Sequence, residues 1–262
     1  MDIVTDLRQA IDAPTWVENN IPRIKLDSVQ KSILRSNAKQ IIYLACRQAG
    51  KSETASLLSL HMAIYRPSSL ILLLSPSLRQ SSELFRKVSD HANECLNLPG
   101  KTEDSKLFCT FENGSRIVSL PGREATVRGY AAVDLLVVDE AALVPDSLYM
   151  SIRPMLAISG GRLLLISSPH GARGFFFETW VRGGDSWEKY KMIGQECERI
   201  SNERLEYERA SIPSRWFRQE WQVEFLQDLD SVFDIETIRG LFGDVKPMFQ
   251  ESLISEEVKA IV

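Results

Sequence analysis

The chain has 262 residues, 44% hydrophobic and 25% charged, which is enough to bury a full core in one α/β domain with an appendage. A net charge of −4 argues against a protein that coats nucleic acid by bulk charge, although a local basic face stays open. The sequence has no apolar run long enough to span a bilayer, and its first residues lack the pattern of a secretory signal. We therefore expect a cytosolic protein.

The cysteines predict neither zinc nor disulfides. Cys46, Cys95, Cys109 and Cys197 lie far apart, form no Cys-x-x-Cys pair and are accompanied by only three histidines. This pattern is typical of buried free thiols.

A helix is predicted in the N-terminal part, ahead of the first motif. Residues 1–22 mix short apolar clusters, and residues 26–34 have the pattern of a helix capped by Asp27 or Ser28. Gln30 lies in this helix, and its amide offers the donor and acceptor that match the N6/N7 edge of adenine. The alternative is that Gln30 is a solvated helix residue.

A phosphate-binding loop is predicted after the apolar run 41–44. It comprises Ala45, Cys46, Arg47, Gln48, Ala49, Gly50, Lys51 and Ser52. A tight loop between a buried strand and a helix turns backbone N–H groups toward one point, where the positive end of the helix dipole also lies. Lys51 would reach the β- and γ-phosphates of ATP, and the Ser52 hydroxyl would hold Mg²⁺. The alternative is an ordinary strand–turn–helix junction, because Ala45 stands where the usual pattern has Gly.

Four further elements are predicted before the next motif. Helical spacing of apolar residues predicts helices over 53–65 and 80–95, the second with Lys87 on its outer side. The continuous apolar run 70–74 is typical of a parallel strand covered on both faces. Residues 108–120 alternate around Asn-Gly, which predicts an antiparallel hairpin.

A second motif is formed by the apolar strand 135–138 and the two acids that follow it. Beside a phosphate-binding loop, the Asp139 carboxylate would face the Mg²⁺ shell, and Glu140 would orient and deprotonate the attacking water. The alternative is that Asp139 caps a helix.

A third strand, 162–166, ends in Ser167 and Ser168. If this strand lies between those carrying the loop and Asp139, a terminal hydroxyl lies near the γ-phosphate and would couple hydrolysis to the rest of the protein. Which of the two serines faces the nucleotide stays open. The alternative is that Ser-Ser-Pro forms only a turn.

These motifs resemble those of the large subunit of the viral (tailed bacteriophage) terminase, the ATPase motor that packages double-stranded DNA into capsids. The resemblance covers about residues 26–233 and also rests on 126–130, 167–169 and 215–225. It implies an α/β P-loop NTPase fold of the ASCE/RecA-like kind, with a mainly parallel sheet flanked by helices and a small C-terminal helical lid subdomain.

The resemblance also implies a domain organisation. We expect an ATPase core over 1–195, a lid and linker over 196–245 and a linker tail over 246–262. Terminase large subunits usually carry a C-terminal nuclease domain, for which this chain has no room, so no nuclease activity is expected. No catalysis is assigned to Asp228, Asp230 and Asp234.

Three arginines gain roles from the resemblance. Arg47 is similar to the family's Walker A arginine, which contacts phosphate or senses its neighbours. Arg128 resembles the arginine that reaches the γ-phosphate held by the next subunit of a ring, with Arg123 as its rival. The alternative is that Arg128 pairs with an acid on the surface.

The partners implied are double-stranded DNA, the portal and the small terminase subunit, in the cytoplasm of the infected host cell and without a membrane. The chain would form a homo-oligomeric ring when assembled, with a poorly active monomer as the isolated form. DNA would be contacted through its phosphate backbone. The candidate residues for this contact are Arg173, Arg182, Lys189, Lys191 and Arg199. The alternative, that they belong to a solvated helix face, explains them equally well.

Two other functions fit parts of the pattern. A helicase-like DNA-dependent ATPase shares the acid pair and the adenine-reading glutamine, but normally has a second set of parallel strands with motifs, which does not follow residue 171 here. A nucleotide-gated binding module would bind ATP without turnover, against which the intact Glu140 argues.

Overall fold

The computed structural model of the chain describes residues 3–96, 98–122 and 129–227. The chain divides into a unit of residues 1–226 and a second unit of residues 227–262, and every helix and strand of the described residues belongs to the first. Within the described ranges, no helix is both long enough and apolar enough to cross a membrane.

Nine α-helices and eight β-strands form within the described residues. The helices are α1 (Ile3–Ile11), α2 (Ala13–Asn20), α3 (Ser28–Arg35), α4 (Lys51–Tyr65), α5 (Leu78–Glu94), α6 (Asp146–Ile152), α7 (Gly174–Arg182), α8 (Asn202–Ser211) and α9 (Ser214–Glu220). The strands are β1 (Gln40–Ala45), β2 (Leu70–Ser75), β3 (Lys101–Asp104), β4 (Phe108–Phe111), β5 (Arg116–Pro121), β6 (Leu135–Asp139), β7 (Arg162–Ser167) and β8 (Glu188–Met192).

The strands form one mixed sheet in the order β3-β4-β5-β2-β6-β7-β1-β8. Neighbours from β5 to β8 pair in parallel, whereas β3, β4 and β5 pair antiparallel. The predicted hairpin is therefore confirmed as β4 and β5, and β3 extends it. Strand β7 lies between β6 and β1, as the prediction about the terminal serines required. The carboxyl ends of β6, β7 and β1 consequently meet at one edge of the sheet.

The central strands are buried because both faces are covered. Every residue of β2 and β6 is buried, which agrees with their continuous apolar sequences. Their side chains join one core that extends through α4 and α5. The fold class predicted from the sequence is confirmed as a mixed sheet flanked by helices.

Strand β8 was not predicted from the sequence. It pairs in parallel with β1 at the edge of the sheet, and four of its five residues are not buried. The interpretation of Lys189 and Lys191 as residues of a solvated helix face is therefore wrong, since both lie on this strand. An exposed edge strand carries little apolar signal, which is why the pattern of charged residues concealed it.

The prediction of buried free thiols is confirmed for three of the four cysteines. All four cysteines are free thiols, with Cys46, Cys109 and Cys197 buried and Cys95 half-buried. Burial raises the pKa of the Cys46 thiol to about 12, so the thiol form predominates at neutral pH.

Candidate active site

The predicted phosphate-binding loop connects β1 to α4. Gln48 and Gly50 within it adopt left-handed backbone conformations, with φ of 63° and 78°. Gly50 is the N-cap of α4, and no described side chain caps this helix. The first N–H groups of α4 thus stay open to an anion held in the loop, where the helix dipole also favours negative charge.

The floor of the loop is apolar. Ala45, Cys46 and Ala49 are buried, and the Tyr43 hydroxyl donates a hydrogen bond of 3.4 Å to the Ala49 carbonyl. The Cys46 N–H donates to the Met192 carbonyl at 2.9 Å, which ties the loop to the end of β8. These residues shape the loop, and their side chains offer no charge to a ligand.

The Lys51 ammonium group lies inside the loop. It donates hydrogen bonds to the carbonyls of Ala45 at 3.2 Å and Cys46 at 2.9 Å, and to Ser168 Oγ at 2.9 Å. Burial lowers the pKa of Lys51, and the charges of Glu140 and Asp139 oppose this effect. The lysine is therefore held among oxygen atoms, in the position from which it would meet a phosphate.

Ser52 and Asp139 come together although 87 positions separate them in the chain. The Ser52 hydroxyl donates to Asp139 Oδ2 at 3.5 Å. Burial, followed by the Glu140 charge, raises the pKa of Asp139 to about 7. A hydroxyl and a carboxylate side by side fit Mg²⁺, which prefers oxygen ligands and usually keeps waters and substrate phosphates as its other ligands. Accordingly, the described residues contain no cluster of three or more His, Cys, Asp or Glu suited to a metal.

Glu140 is held by the neighbouring strand. Its backbone is left-handed, with φ 47° and ψ 46°, a conformation that costs a non-glycine residue about 1–3 kcal/mol and occurs preferentially at functional sites. Ser167 Oγ donates to Glu140 Oε2 at 3.3 Å and accepts from the Ala142 N–H at 3.2 Å. The hydroxyl at the end of β7 therefore orients the candidate general base.

The two serines thus have different contacts. Ser167 is buried and contacts Glu140, whereas Ser168 contacts Lys51 and lines the cavity above the loop. The structure settles which of them faces that cavity, a point that the sequence left open, because adjacent residues at a strand end point in opposite directions.

These groups surround one cavity of about 540 Å³. It is lined by Arg47, Gln48, Ala49, Gly50, Lys51, Ser52, Gln80, Lys87, Glu140, Leu143, Ser168, Pro169, His170 and Glu220. The two motifs that the sequence singled out thus meet at one place. Asp139 lies beneath it, in contact with Ser52.

Sequence reasoning missed four polar residues of the cavity, which are Gln80, Lys87, Glu220 and His170. Gln80 and Lys87 both lie on α5, and Glu220 ends α9. The seven-residue spacing of the first two places them on one face of α5, a signal that could have paired them. Lys87, which the sequence placed on the outer side of α5, therefore lines the cavity. Its positive charge also acts to lower the pKa of Asp139, against the larger effect of burial.

Gln30 is fully buried, so the alternative of a solvated helix residue is wrong. Its amide takes part in four hydrogen bonds. It donates to Thr54 Oγ1 at 3.0 Å and to the Gly50 carbonyl at 3.4 Å, and it accepts from the Asp27 N–H at 3.2 Å and Arg199 Nη2 at 2.8 Å. These use the donors and lone pairs of the amide. Adenine recognition by Gln30 stays a prediction and would require it to exchange partners.

Of the three arginines with predicted roles at the site, Arg47 is the one that the structure describes. Arg47 lies at the edge of the cavity, and its Nε is 2.6 Å from Glu220 Oε2. Arg128 and its rival Arg123 lie outside the described residues. Among the candidate DNA contacts, Arg199 pairs with Glu53 at 2.7 Å and donates a hydrogen bond to Gln30 Oε1 at 2.8 Å.

Comparisons with known proteins identify the family of the chain. The family model "Terminase large subunit, T4likevirus-type, N-terminal" matches residues 42–240, well over half of the chain. The terminase large subunit of Thermus virus P23-45 is 29% identical over 241 residues, which cover 78% of this chain and 50% of that protein, and the one from Thermus phage G20c gives the same figures. The chain therefore spans about half the length of these relatives.

Solved structures support the same conclusion. The ATPase domain of the Thermus phage P74-26 large terminase is similar with a TM-score of 0.66 and 26% identity, over 77% of this chain and 94% of that one. The HK97 bacteriophage large terminase shares the fold with a TM-score of 0.67 at 14% identity, over 82% of this chain and 55% of that one. With the loop, the acid pair and the sheet order in place, this chain belongs to the terminase large subunit family.

Proposed function

We propose that the chain is the ATP-hydrolysing motor of a terminase large subunit, which moves double-stranded DNA into a capsid. The observation that supports this most is the meeting of Lys51, Ser52, Asp139 and Glu140 around one loop, because phosphoryl transfer needs positioned positive charge and a base rather than covalent chemistry. A large terminase of the thermophilic bacteriophage D6E, which shares the fold, has been crystallised with ADP and with ATP-γ-S.

In the proposed reaction, the water oxygen forms a bond to the γ-phosphorus while the bond from that phosphorus to the β–γ bridging oxygen breaks. Glu140 takes the proton of the water, and ADP leaves with the bridging oxygen. Lys51 and the N–H groups at the start of α4 hold the phosphates. Ser52 and Asp139 would hold Mg²⁺, which when bound neutralises charge on the β- and γ-phosphate oxygens.

Ser167 and Ser168 are proposed to couple this reaction to the rest of the protein. Ser168 contacts the lysine that holds the phosphates, and Ser167 contacts the base. Ser167 is the last residue of β7 and Ser168 comes directly after it. A change at the γ-phosphate would therefore act on this one strand through two hydroxyl groups.

The finer parts of the proposal come from the family. Arg128, with Arg123 as its rival, would complete the site of the next subunit in a homo-oligomeric ring, and Arg47 would contact phosphate. DNA, the portal and the small terminase subunit would be the partners, in the cytoplasm of the infected cell. We also propose a core over 1–195, a lid and linker over 196–245 and a linker tail over 246–262.

The test is the ATPase rate as a function of protein concentration, for the wild type and for Glu140→Gln and Arg128→Ala. Glu140→Gln should lower turnover by about 10²–10⁴-fold, the usual contribution of a general base, and keep nucleotide binding. Arg128→Ala should abolish the rise of the specific rate with concentration. Binding without turnover in the wild type would instead favour the nucleotide-gated module. A rate independent of both concentration and Arg128 would contradict the ring.

A further inference from the structure

Glu220 brings a carboxylate to the cavity proposed for the nucleotide phosphates. It is the last residue of α9, and its Oε2 lies 2.6 Å from Arg47 Nε. The Arg47 N–H also donates to the Glu220 carbonyl at 3.3 Å, so backbone and side chain of the two residues are joined. Only 15% of the Glu220 side chain is exposed, against 71% for Arg47. The acid is therefore the more enclosed partner.

Packing of α9 holds this carboxylate in place. Phe217 and Trp221, on either side of Glu220 in the chain, are both buried. The Trp221 carbonyl accepts from the Gly194 N–H at 2.7 Å, which ties the end of α9 to the segment after β8. The packing of α9 thus fixes the position of the Glu220 backbone beside the loop.

The charge of Glu220 acts inside the cavity. It lines the same space as Lys51 and Ser168, and it is among the charges that oppose the lowering of the Lys51 pKa by burial. A triphosphate would bring several further negative charges to the same positive groups. Two anions at one site repel each other, and the guanidinium of Arg47 has a single planar set of donors to share between them.

We propose that Glu220 is an internal competitor of the nucleotide: it occupies Arg47, lowers the affinity of the site for phosphate, and is displaced from Arg47 when the phosphates bind. The inference rests on the proposed nucleotide binding and concerns its regulation. Coupling between two binding events is reciprocal. If the Glu220–Arg47 ion pair weakens the binding of the phosphates, phosphate binding must therefore weaken this ion pair by the same free energy. Occupancy of the cavity would thereby loosen the attachment of α9 to the loop.

The first test is the dissociation constant of ATP-γ-S and of ADP for the wild type and Glu220→Gln, measured by calorimetry. Glu224→Gln is the matched control, because Glu224 forms a similar ion pair of 2.6 Å with Arg218 and does not line the cavity. Removing one unit charge close to the phosphates should tighten ATP-γ-S binding about tenfold, and ADP binding less, since ADP carries less charge. The control should differ from the wild type by less than twofold.

The second test asks whether Glu220 acts through Arg47. In an Arg47→Gln background, Glu220→Gln should tighten binding clearly less than in the wild type, since the direct repulsion of the phosphates remains but the competition for the guanidinium is gone. An undiminished effect would overturn the competition.

The third test needs no variant of Glu220. Hydrogen exchange of backbone amides in residues 214–221 of the wild type should increase when ATP-γ-S binds, because α9 loses its contact with the loop. Unchanged exchange would overturn the displacement.

Failure of this inference can be told from failure of the proposed function. Nucleotide that binds the wild type but binds Glu220→Gln equally or more weakly overturns the inference and leaves the motor in place. A wild type that binds neither nucleotide overturns both. Urea midpoints of the variants verify that they are folded.

Discussion

Replacing Gly50 with alanine should destabilise the protein through a contact that only the tertiary structure creates. The added Cβ would lie 2.6 Å from Arg199 Nη1 and 2.7 Å from Gln30 Nε2, closer than real Cβ contacts. Neither side chain can withdraw freely, because Arg199 is paired with Glu53 at 2.7 Å and Gln30 is bonded to Thr54 at 3.0 Å. The clash can therefore be relieved only by breaking hydrogen bonds or by moving the loop.

The expected cost has two parts. The left-handed backbone at Gly50, with φ of 78°, costs an alanine about 1–2 kcal/mol. Displacing Gln30 and Arg199 loses about two hydrogen bonds, at roughly 0.5–1.5 kcal/mol each. The Gly50→Ala substitution should thus lower the free energy of unfolding by about 2–5 kcal/mol. Nucleotide affinity should fall as well, because the same movement displaces the start of α4.

Gly184 provides the matched control. It has a similar φ of 64°, but an added Cβ there meets no atom within 4 Å. Gly184→Ala should therefore cost only the backbone term, about 1–2 kcal/mol. Urea unfolding followed by circular dichroism gives both values, and Arg199→Ala combined with Gly50→Ala should recover part of the larger loss. Equal costs at the two glycines would refute the steric argument.

Two further predictions concern the serines and pH. Ser167→Ala should lower turnover while leaving the nucleotide dissociation constant unchanged, since Ser167 contacts Glu140. Ser168→Ala should instead weaken nucleotide binding by about threefold to tenfold, because the hydrogen bond to Lys51 is lost. Parallel kcat and binding measurements separate the two roles, and identical profiles would contradict them. Burial lowers the pKa of His61 below 6.5, so the unfolded chain binds this proton more readily and stability should fall as the pH drops through 6.5. Urea midpoints between pH 8 and 5 should decline less for His61→Gln, and an equal decline would show that other groups dominate.

Local sequence patterns were sufficient to predict much of the candidate site. The phosphate-binding loop and the acid pair each occupy a few consecutive residues after a continuous apolar strand, and such strands are recognisable because both of their faces are buried. Since parallel strands end at one edge of a sheet, the two motifs could be placed together before any contact was known. The structure confirms this for Ser52 and Asp139, which lie 3.5 Å apart.

The sequence by itself determined the sheet's buried strands, the loop and the acids, because these are set by short-range spacing and by which side chains avoid water. Only the tertiary structure decided the edge strand β8, the partners of Gln30, the different contacts of the two serines and the position of Glu220 beside Arg47. Glu220 and Arg47 are 173 positions apart, and Gln30 and Arg199 are 169 apart. Contacts over such separations depend on how α3, α9 and the segment after β8 pack around the loop, and polar residues that pair in this way leave no periodic pattern in the chain.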